Sequence, residues 1–318
     1  MARFRPNPPS QRQGVSASCV VLPHPGRSAE ASGTWPLIVD FLVQRFPHIS
    51  ANTWQQRLLN DDVIDDAGHT LTAQSPFVAG LRLYYFREVA QEAKIPFDAV
   101  ILHQDEHLIV ADKPHFLPVM PSGQYLQETL LVRLKNQLGL PDLVPIHRID
   151  RDTAGLVMFS VNPATRDAYH ALFRHHQVVK TYEAIAPWNP SLPWPLRRAS
   201  RIAESSHFMQ QTEVAGEPNA ITDIQPLEVL GELAQLARYQ LKPVTGQRHQ
   251  LRVHMHALGL PIVNDGIYPV LTPQGAADVD KPLQLLAQRI AFVDPVTSQP
   301  CEFVTQRRLL VDTMGFHP

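Results

Sequence analysis

The densest group of reactive side chains in the sequence lies at residues 147–152, which read His-Arg-Ile-Asp-Arg-Asp. Pro145 precedes this group, and an apolar run begins at Gly155. The pattern predicts a charged loop at the end of a strand. Asp150 lies between two arginines, and nearby positive charge keeps a carboxylate ionised by lowering its pKa. Such a loop either presents a reactive carboxylate or is a solvated group of ion pairs.

A second group of polar side chains lies at residues 243–254, which read Pro-Val-Thr-Gly-Gln-Arg-His-Gln-Leu-Arg-Val-His. Arg248 and Arg252 are four residues apart, as are Gln250 and His254. A helix would therefore place each pair on one face. An arginine pair on one helix face is suited to holding a phosphate.

Histidines and cysteines offer little support for a metal site. His254 and His256 are two residues apart, so a helix would direct them to different faces. No carboxylate or cysteine near them completes a ligand set of the zinc type, and Cys19 and Cys301 are far apart in the sequence. The sequence therefore predicts no metal site.

The loop around Asp150 resembles the signature of RluA-type pseudouridine synthases, which reads His-Arg-Leu-Asp-x-x-Thr-Ser-Gly-Leu. This sequence has Ile149 in place of leucine and Ala154 in place of serine. The aspartate of the signature is the essential catalytic residue of the family, so the resemblance assigns catalysis to Asp150. It also implies that Arg148 enters the RNA stack when the target base leaves it, and that His147 belongs to the substrate-binding loop.

Two more segments resemble segments of the family, and they occur along this sequence in the same order as in the family. Residues 108–123 resemble its opening strand and Lys-Pro turn, and residues 180–184 resemble its Lys-x-Tyr strand. In the family, the tyrosine of that strand packs on the target base. The resemblance therefore assigns base packing to Tyr182 and substrate binding to the neighbouring Lys180.

Residues 243–254 resemble the family segment Thr-Gly-Arg-x-His-Gln-Leu-Arg-x-His, a turn that opens a helix. Gln247 stands where the family usually has arginine. The resemblance implies that Arg252 pairs with the catalytic aspartate and that Arg248 and Gln250 contact the substrate.

The last similar segment lies near the C-terminus, at residues 285–292. It parallels a family Leu-His-Ala segment, with Leu286 in place of the histidine. The resemblance implies that Leu285 packs beneath the bound base. Together the similar segments span about residues 98–304.

The resemblance implies an isomerase that converts uridine in structured RNA, ribosomal or transfer, to pseudouridine. This reaction breaks the bond from ribose C1′ to N1 of uracil and re-forms it to C5. It needs base flipping, no external cofactor and no metal. Asp150 could attack C1′ as a nucleophile or remove a sugar proton as a base, and the sequence leaves both routes open. We expect a monomer.

Two other functions fit part of the pattern. A catalytically inactive RNA-binding protein of the same fold is disfavoured because Asp150, Tyr182 and Arg252 are all present. A hydrolase using Asp150, Asp152 and His147 is disfavoured because the sequence has no Gly-x-Ser-x-Gly segment and no partner carboxylate.

The segments that must position these residues indicate an α+β catalytic domain at residues 96–318. Short strand patterns there are interrupted by helix patterns near residues 126–137, 163–175 and 248–256. Because strands and helices do not alternate regularly, a parallel doubly wound sheet is disfavoured. We expect the pseudouridine synthase fold, in which helices and loops flank a mixed, mainly antiparallel sheet.

Two further regions precede this domain. Residues 35–95 predict a small helix-helix-hairpin domain that loosely resembles the ribosomal-protein-like RNA-binding domain found ahead of many family members. It contains more acidic than basic residues, unlike a phosphate-binding surface, which indicates a degenerate copy. Residues 1–34 are rich in proline, serine, arginine and glutamine, and we expect a partly disordered tail in which Ala17 to Leu22 could pair as a short edge strand.

The overall composition limits the class of protein. A formal net charge of −2 excludes a uniformly basic nucleic-acid-binding protein, so RNA would have to bind to a local basic groove. No apolar run is long enough to cross a bilayer, and the N-terminus lacks the apolar region of a secretory signal. We therefore expect a cytoplasmic protein with no membrane contact.

Overall fold

The computed structural model describes residues 11–24, 35–47, 49–87, 92–230, 235–272 and 278–309. The chain divides into two compact units. The smaller contains residues up to 92 together with 123–127, and the larger contains residues 93–122 together with those from 128 onward. The boundaries predicted after residues 34 and 95 stay predictions.

The smaller unit combines two helices with a three-stranded sheet of order β1-β3-β2. Its elements are β1 (Ser18–Val21), α1 (Ile38–Arg45), α2 (Ala51–Leu59), β2 (Val63–Asp65) and β3 (Arg82–Tyr85). The first strand comes from the segment that the sequence assigned to the tail, and it pairs with β3. This segment lies in the unit because Leu22, just after it, is fully buried in its core.

Local sequence explains the helices of this unit. Phe41 and Leu42 lie on the buried face of α1, as the helical spacing predicts. Ser50 begins α2 by accepting a hydrogen bond from the backbone N–H of Thr53. Trp54 is fully buried in the core. The unit therefore has its own hydrophobic core around this tryptophan.

The larger unit has an α+β fold, as predicted. Its strands are β4 (Val100–Gln104), β5 (Leu108–Lys113), β6 (Val144–Pro145), β7 (Ala154–Ser160), β8 (Val179–Pro187), β9 (Leu196–Glu204), β10 (Gln211–Val214), β11 (Ala220–Leu230), β12 (Leu236–Pro243), β13 (Leu285–Val293) and β14 (Pro300–Val304). Its helices are α3 (Leu130–Leu138), α4 (Arg166–Arg174) and α5 (Gln250–Ala257).

These strands form an 11-stranded sheet whose main path runs β10-β9-β11-β12-β8-β13-β7-β5-β4. Strand β14 pairs with β13, and β6 pairs with β7. The pairs are antiparallel except for the short parallel pair of β13 with β7. At that pair, a Cβ on Gly155 would clash with the backbone of Ala287, so glycine allows the two strands to approach closely.

Apolar side chains fill the space between the sheet and its helices. On α4, Tyr169 and Leu172 pack with Leu108 and Met158 of the sheet. On α5, Leu251 and Met255 pack with residues of β8, β11 and β12. No helix in the described part of the chain is long and apolar enough to span a membrane.

Helix α5 begins later than the sequence predicts. His249 has a left-handed backbone conformation, with φ 55°, and the helix begins at Gln250. Arg248 therefore lies in the preceding turn, and the expectation that it shares a helix face with Arg252 is wrong. Gln250 and His254 do lie on α5.

Candidate active site

A cavity of about 470 Å³ lies in the larger unit. Its walls come from the loop at 147–153, the region from the end of α4 into β8 at 173–182, the turn leading into α5 at 243–252, and Leu285 at the start of β13. All but one of the residues that the sequence proposed for the site line this cavity. The lining residues are Asp150, Arg252, Tyr182, Arg148, His147, Lys180, Gln250 and Leu285. Arg248 does not line the cavity but lies between Gln247 and His249, which do.

The loop that carries Asp150 is fixed by buried hydrogen bonds. Lys113 is fully buried, and its ammonium group donates to the carbonyl oxygens of Pro114, Leu117 and Arg151 at 2.8–2.9 Å. Burial lowers the pKa of Lys113 to about 7 despite the nearby carboxylates. The Lys-Pro turn therefore holds the backbone next to Asp150.

Asp150 lies at the cavity wall with 29% of its side chain exposed. Its Oδ2 accepts a hydrogen bond of 3.0 Å from Nη1 of Arg252, and its Oδ1 is 3.9 Å from Nε2 of His249. Burial acts to raise the pKa of Asp150, but the electrostatic interactions of its carboxylate with His249, Arg252 and Lys113 hold that pKa below its usual value. The carboxylate is therefore ionised at neutral pH and open to a ligand in the cavity.

Arg252 is held by a second carboxylate, that of Asp265. Nε of Arg252 donates to Oδ2 of Asp265 at 2.8 Å, and Nη2 donates to Oδ1 at 2.6 Å. The Asp265 side chain is fully buried, and its Oδ1 also accepts the backbone N–H groups of Ile267 and Tyr268. Arg252 is therefore fixed in position by Asp265 and presents its third nitrogen, Nη1, to Asp150.

His249 and Tyr268 form a buried edge of the same site. Nδ1 of His249 is 3.1 Å from the Tyr268 hydroxyl, which accepts the backbone N–H of Gln211 at 2.7 Å. The Tyr268 ring lies 5.5 Å from the guanidinium carbon of Arg252. Burial lowers the pKa of His249 although Asp150 acts to raise it. These contacts link α5 to strand β10.

Tyr182 and Leu285 come from neighbouring strands. In the register of β8 with β13, Tyr182 lies opposite Ala287, two residues from Leu285. Burial and the charge of Asp150 raise the pKa of Tyr182 above its usual range, so the phenol stays neutral. Leu285 is 3% exposed and supplies an apolar wall. The two side chains give the cavity an aromatic and an aliphatic surface beside the carboxylate.

Two of the proposed substrate-binding residues use polar side-chain atoms in hydrogen bonds within the protein. His147 accepts the backbone N–H of Met158 through Nε2 at 3.1 Å and stacks on Phe173 at 4.7 Å. Burial lowers the pKa of His147 to about 3, which keeps it neutral. Gln250 accepts from Thr245 and donates to the backbone oxygen of Ile221. Both side chains brace the loops that line the cavity.

The remaining cations of the site differ in exposure. Lys180 donates to the carbonyl oxygen of Thr245 at 3.1 Å, and burial lowers its pKa. Arg148 and Arg174 are exposed at the cavity mouth, and Arg248 is exposed in the adjacent turn, next to the lining residues Gln247 and His249. Nη1 of Arg248 donates to the carbonyl oxygen of Phe208 at 3.1 Å. The mouth is therefore positively charged although the chain as a whole is not.

The geometry does not support the hydrolase alternative or a metal site. Asp152 accepts from Nε of Arg151, and His147 is directed at a backbone amide, so they form no triad with Asp150. Both ring nitrogens of His254 lie within hydrogen-bonding distance of the hydroxyls of Ser200 and Thr222. Among the described residues no group of histidine, cysteine and carboxylate side chains could hold a metal ion.

Comparison with known proteins identifies the family. The family described as RNA pseudouridylate synthase matches residues 107–257, which include Asp150, Tyr182 and Arg252. The dual-specificity RNA pseudouridine synthase RluA of Escherichia coli strain K12 is 31% identical over 215 residues, covering 64% of this chain and 91% of that protein. The chain belongs to the RluA-type pseudouridine synthases.

Other relatives agree with this assignment. An uncharacterised RNA pseudouridine synthase of Synechocystis is 29% identical over 237 residues, covering 73% of this chain and 79% of that protein. The structure of human RNA pseudouridylate synthase domain containing 4 matches with a TM-score of 0.52 and 26% identity, over 67% of this chain and 90% of that one. This RluA-type protein is an RNA pseudouridine synthase, an isomerase that modifies RNA, and the predicted fold is confirmed.

Sequence reasoning missed three residues of this candidate site. Asp265, His249 and Tyr268 all contact Arg252 or Asp150, yet none was proposed as a site residue. His249 lies inside a motif that pointed to the site, and that position was the available signal. For Asp265 and Tyr268, the sequence gives no indication that the turn after α5 folds back onto Arg252.

Proposed function

We propose that Asp150 is the catalytic residue of this pseudouridine synthase and that it acts on a uridine flipped into the cavity. The observation that carries the proposal is the fixed carboxylate itself. Asp150 is ionised, partly exposed to the cavity, and oriented by Arg252, which is itself fixed by Asp265. A group aligned in this way is suited to react with a bound sugar.

The size and walls of the cavity support a flipped nucleotide. Its volume of about 470 Å³ lies within the range of roughly 300–1,000 Å³ typical of small-ligand sites. A base within a stacked helix cannot reach such a cavity, so the target must leave the stack. Tyr182 would pack on the uracil ring, and base–aromatic stacking contributes about 1–3 kcal/mol. Leu285 would contact the base from the apolar wall.

The reaction moves one bond and one proton. The bond from C1′ to N1 breaks, the uracil ring turns within the cavity, and a bond forms from C1′ to C5. The hydrogen leaves C5, and N1 carries a hydrogen in the product, so no external cofactor takes part. Asp150 serves either by adding to C1′ or by taking a sugar proton, and each route starts from the ionised carboxylate. Tyr182 stays a neutral phenol throughout the neutral pH range.

The charged rim supports RNA binding around the cavity. Arg148 is exposed at the mouth and Arg248 in the adjacent turn, and Arg148 would occupy the space left in the RNA stack. Lys180 would approach a phosphate while holding Thr245. His147 and Gln250 would contribute by holding the loops in position. Arginine and lysine at such positions neutralise backbone phosphates.

We infer that the substrate is structured ribosomal or transfer RNA in the cytoplasm. We also propose a degenerate RNA-binding domain at 35–95, joined by strand β1 from the predicted tail at 1–34, and a catalytic domain at 96–318. We further infer a monomeric enzyme.

Site-resolved mapping of pseudouridine tests this proposal. Total RNA would be compared from cells with the gene, cells without it, and deleted cells that express either the wild-type chain or Asp150→Asn. We expect particular uridines in ribosomal or transfer RNA to lose modification on deletion and to regain it only with the wild-type chain. Full restoration by Asp150→Asn would contradict the assignment of Asp150. Dependent sites confined to other RNA classes would contradict the substrate assignment.

A further inference from the structure

The turn between β9 and β10 exposes an aromatic side chain to solvent. Phe208 is 74% exposed, and it is the one aromatic residue among the exposed large hydrophobic side chains of the described chain. A single exposed apolar side chain is common on protein surfaces and by itself indicates nothing. Phe208 differs from such side chains because hydrogen bonds hold its turn in one conformation and because the turn lies beside the candidate site.

The turn that carries Phe208 is held by its own hydrogen bonds. The backbone N–H of Ser205 donates to the oxygen of Gln210, and the N–H of Gln210 donates to the oxygen of His207 at 2.8 Å. The Ser205 hydroxyl also donates to the oxygen of His207. The rings of His207 and Phe208 stack with centroids 5.3 Å apart and planes 22° apart. Stacking on His207 and the hydrogen bonds of the turn therefore hold the exposed Phe208 ring in place.

The same turn is attached to residues of the active site. Arg248 lies between Gln247 and His249, which line the cavity, and its Nη1 donates to the carbonyl oxygen of Phe208 at 3.1 Å. Next to the turn, the side chain of Gln210 donates to the backbone oxygen of Ile267, and the N–H of Gln211 donates to the Tyr268 hydroxyl. Phe208 therefore occupies a fixed position beside the mouth of the cavity.

We propose that Phe208 is a stacking platform for an unpaired base of the substrate RNA near the target uridine. When the target base leaves the stack, its neighbour loses a stacking partner, and an exposed ring next to an arginine can replace it. Arg248, adjacent to Phe208, supplies the positive charge that a nucleotide's phosphate requires. This arrangement favours an RNA ligand over a protein ligand. The inference rests on the proposed function of the cavity.

Substitutions at Phe208 distinguish stacking from simple apolar contact. Phe208→Leu keeps an apolar side chain without an aromatic face, whereas Phe208→Tyr and Phe208→Trp keep the face. We expect Phe208→Ala and Phe208→Leu to weaken binding of unmodified transfer and ribosomal RNA transcripts roughly tenfold, the low end of the range for removal of base stacking. Conversion at saturating RNA should change by less than about threefold, because Phe208 does not touch the reacting atoms. Tyrosine and tryptophan variants should bind like the wild type.

Fluorescence gives a second readout that does not depend on turnover. In Phe208→Trp, the added indole should be quenched by the transcripts and by single-stranded poly(U), after subtraction of the signal from the 4 native tryptophans. Val293→Trp is the matched control, since Val293 is exposed at the end of β13 opposite to Leu285. The control should show no added quenching.

The results separate the platform from the proposed function. Wild-type RNA affinity in Phe208→Leu would overturn the platform alone. The same holds for a Phe208→Trp enzyme that still isomerises uridine but whose added indole fluorescence is not quenched by RNA. A wild-type chain that isomerises no uridine in any transcript would overturn the proposed function. Quenching of Phe208→Trp by RNA would support the platform even then, because that measurement reports binding.

Discussion

Asp265 holds Arg252 in a two-point fork, with Nε 2.8 Å from Oδ2 and Nη2 2.6 Å from Oδ1. The third side-chain nitrogen, Nη1, is thereby directed at Asp150, which it reaches at 3.0 Å. Because the guanidinium group is planar and rigid, the buried carboxylate of Asp265 also fixes the direction from which Arg252 binds the partly exposed carboxylate of Asp150. Asp265, which does not line the cavity, therefore aligns Asp150 through Arg252.

Asp265→Asn should slow isomerisation more than it weakens RNA binding. The amide offers Arg252 one oxygen instead of two, and the arginine then loses its fixed orientation. We expect the single-turnover rate to fall at least about tenfold, because a shift of 1 Å in a catalytic group can cost about a hundredfold. RNA affinity should stay within about threefold.

A matched substitution tests whether the loss of any bidentate arginine–aspartate pair would have the same effect. Arg197 and Asp223 form the same bidentate pair at 2.6 and 2.9 Å, but both side chains are largely exposed. Asp223→Asn should leave the rate unchanged. Circular dichroism should show both variants folded, with Asp265→Asn less stable, since losing one partner of a buried pair costs about 3–5 kcal/mol. A wild-type rate in Asp265→Asn would remove Asp265 from the site.

Arg252→Lys tests whether the planar group is needed. Lysine keeps the positive charge but cannot bind Asp265 at two points while reaching Asp150. We expect the single-turnover rate to fall by about a hundredfold with little change in RNA affinity. Arg197→Lys, which removes the exposed fork, is the control and should behave as wild type. An affinity defect at an unchanged rate would show that Arg252 holds phosphate instead.

The pH dependence of the rate should follow the charge of Asp150. Its pKa lies below the usual value, so the active carboxylate is present above that lowered pKa and is lost only as pH falls through it. Wild-type activity should therefore persist below the usual pKa range of aspartate. In Asp265→Asn the acid limb of the rate–pH profile should move to higher pH, because Arg252 no longer holds the pKa of Asp150 down. Identical acid limbs in the two proteins would contradict the electrostatic role given to Arg252 and Asp265.

Much of this site can be predicted from the sequence because its motifs are contiguous. The loop at 147–153 carries Asp150, and the segment at 243–254 carries Arg252, so local patterns locate both. The hydrogen bond between them joins residues 102 apart in sequence. Only the resemblance to a family indicated that pairing, since spacing alone cannot.

The features that the sequence did not reveal depend on backbone conformation and tertiary packing. The left-handed conformation of His249 moves Arg248 out of helix α5, which residue spacing cannot indicate. Gln250 resembles a ligand-binding amide but is occupied by Thr245 and Ile221. The role of Asp265 depends on how the chain turns after α5. In the fold, the mainly antiparallel sheet was predictable, whereas the parallel pair of β13 with β7 was not.

RNA affinity should depend on salt through the exposed arginines at the cavity mouth. Arg148 and Arg174 are exposed there and Arg248 is exposed in the adjacent turn, whereas Arg252 is buried. Replacing the three exposed arginines together by glutamine should reduce the slope of log affinity against log salt by about 0.7–0.9 for each phosphate that is no longer neutralised. Arg289→Gln, which breaks a pair with Glu302, is the control. An unchanged slope in the triple variant would place the RNA elsewhere.

The role of Asp150 is tested most simply by the single-turnover conversion of uridine by Asp150→Asn. Transcripts carrying tritium at C5 of uracil release it to water when C5 bonds to C1′, and mapping of the product locates the converted uridine. Asp152→Asn, in the same loop, is the matched control. We predict that Asp150→Asn folds and binds RNA within about threefold of wild type but releases no tritium, while Asp152→Asn retains most activity. Tritium release by Asp150→Asn at the wild-type rate would contradict the assignment of catalysis to this carboxylate.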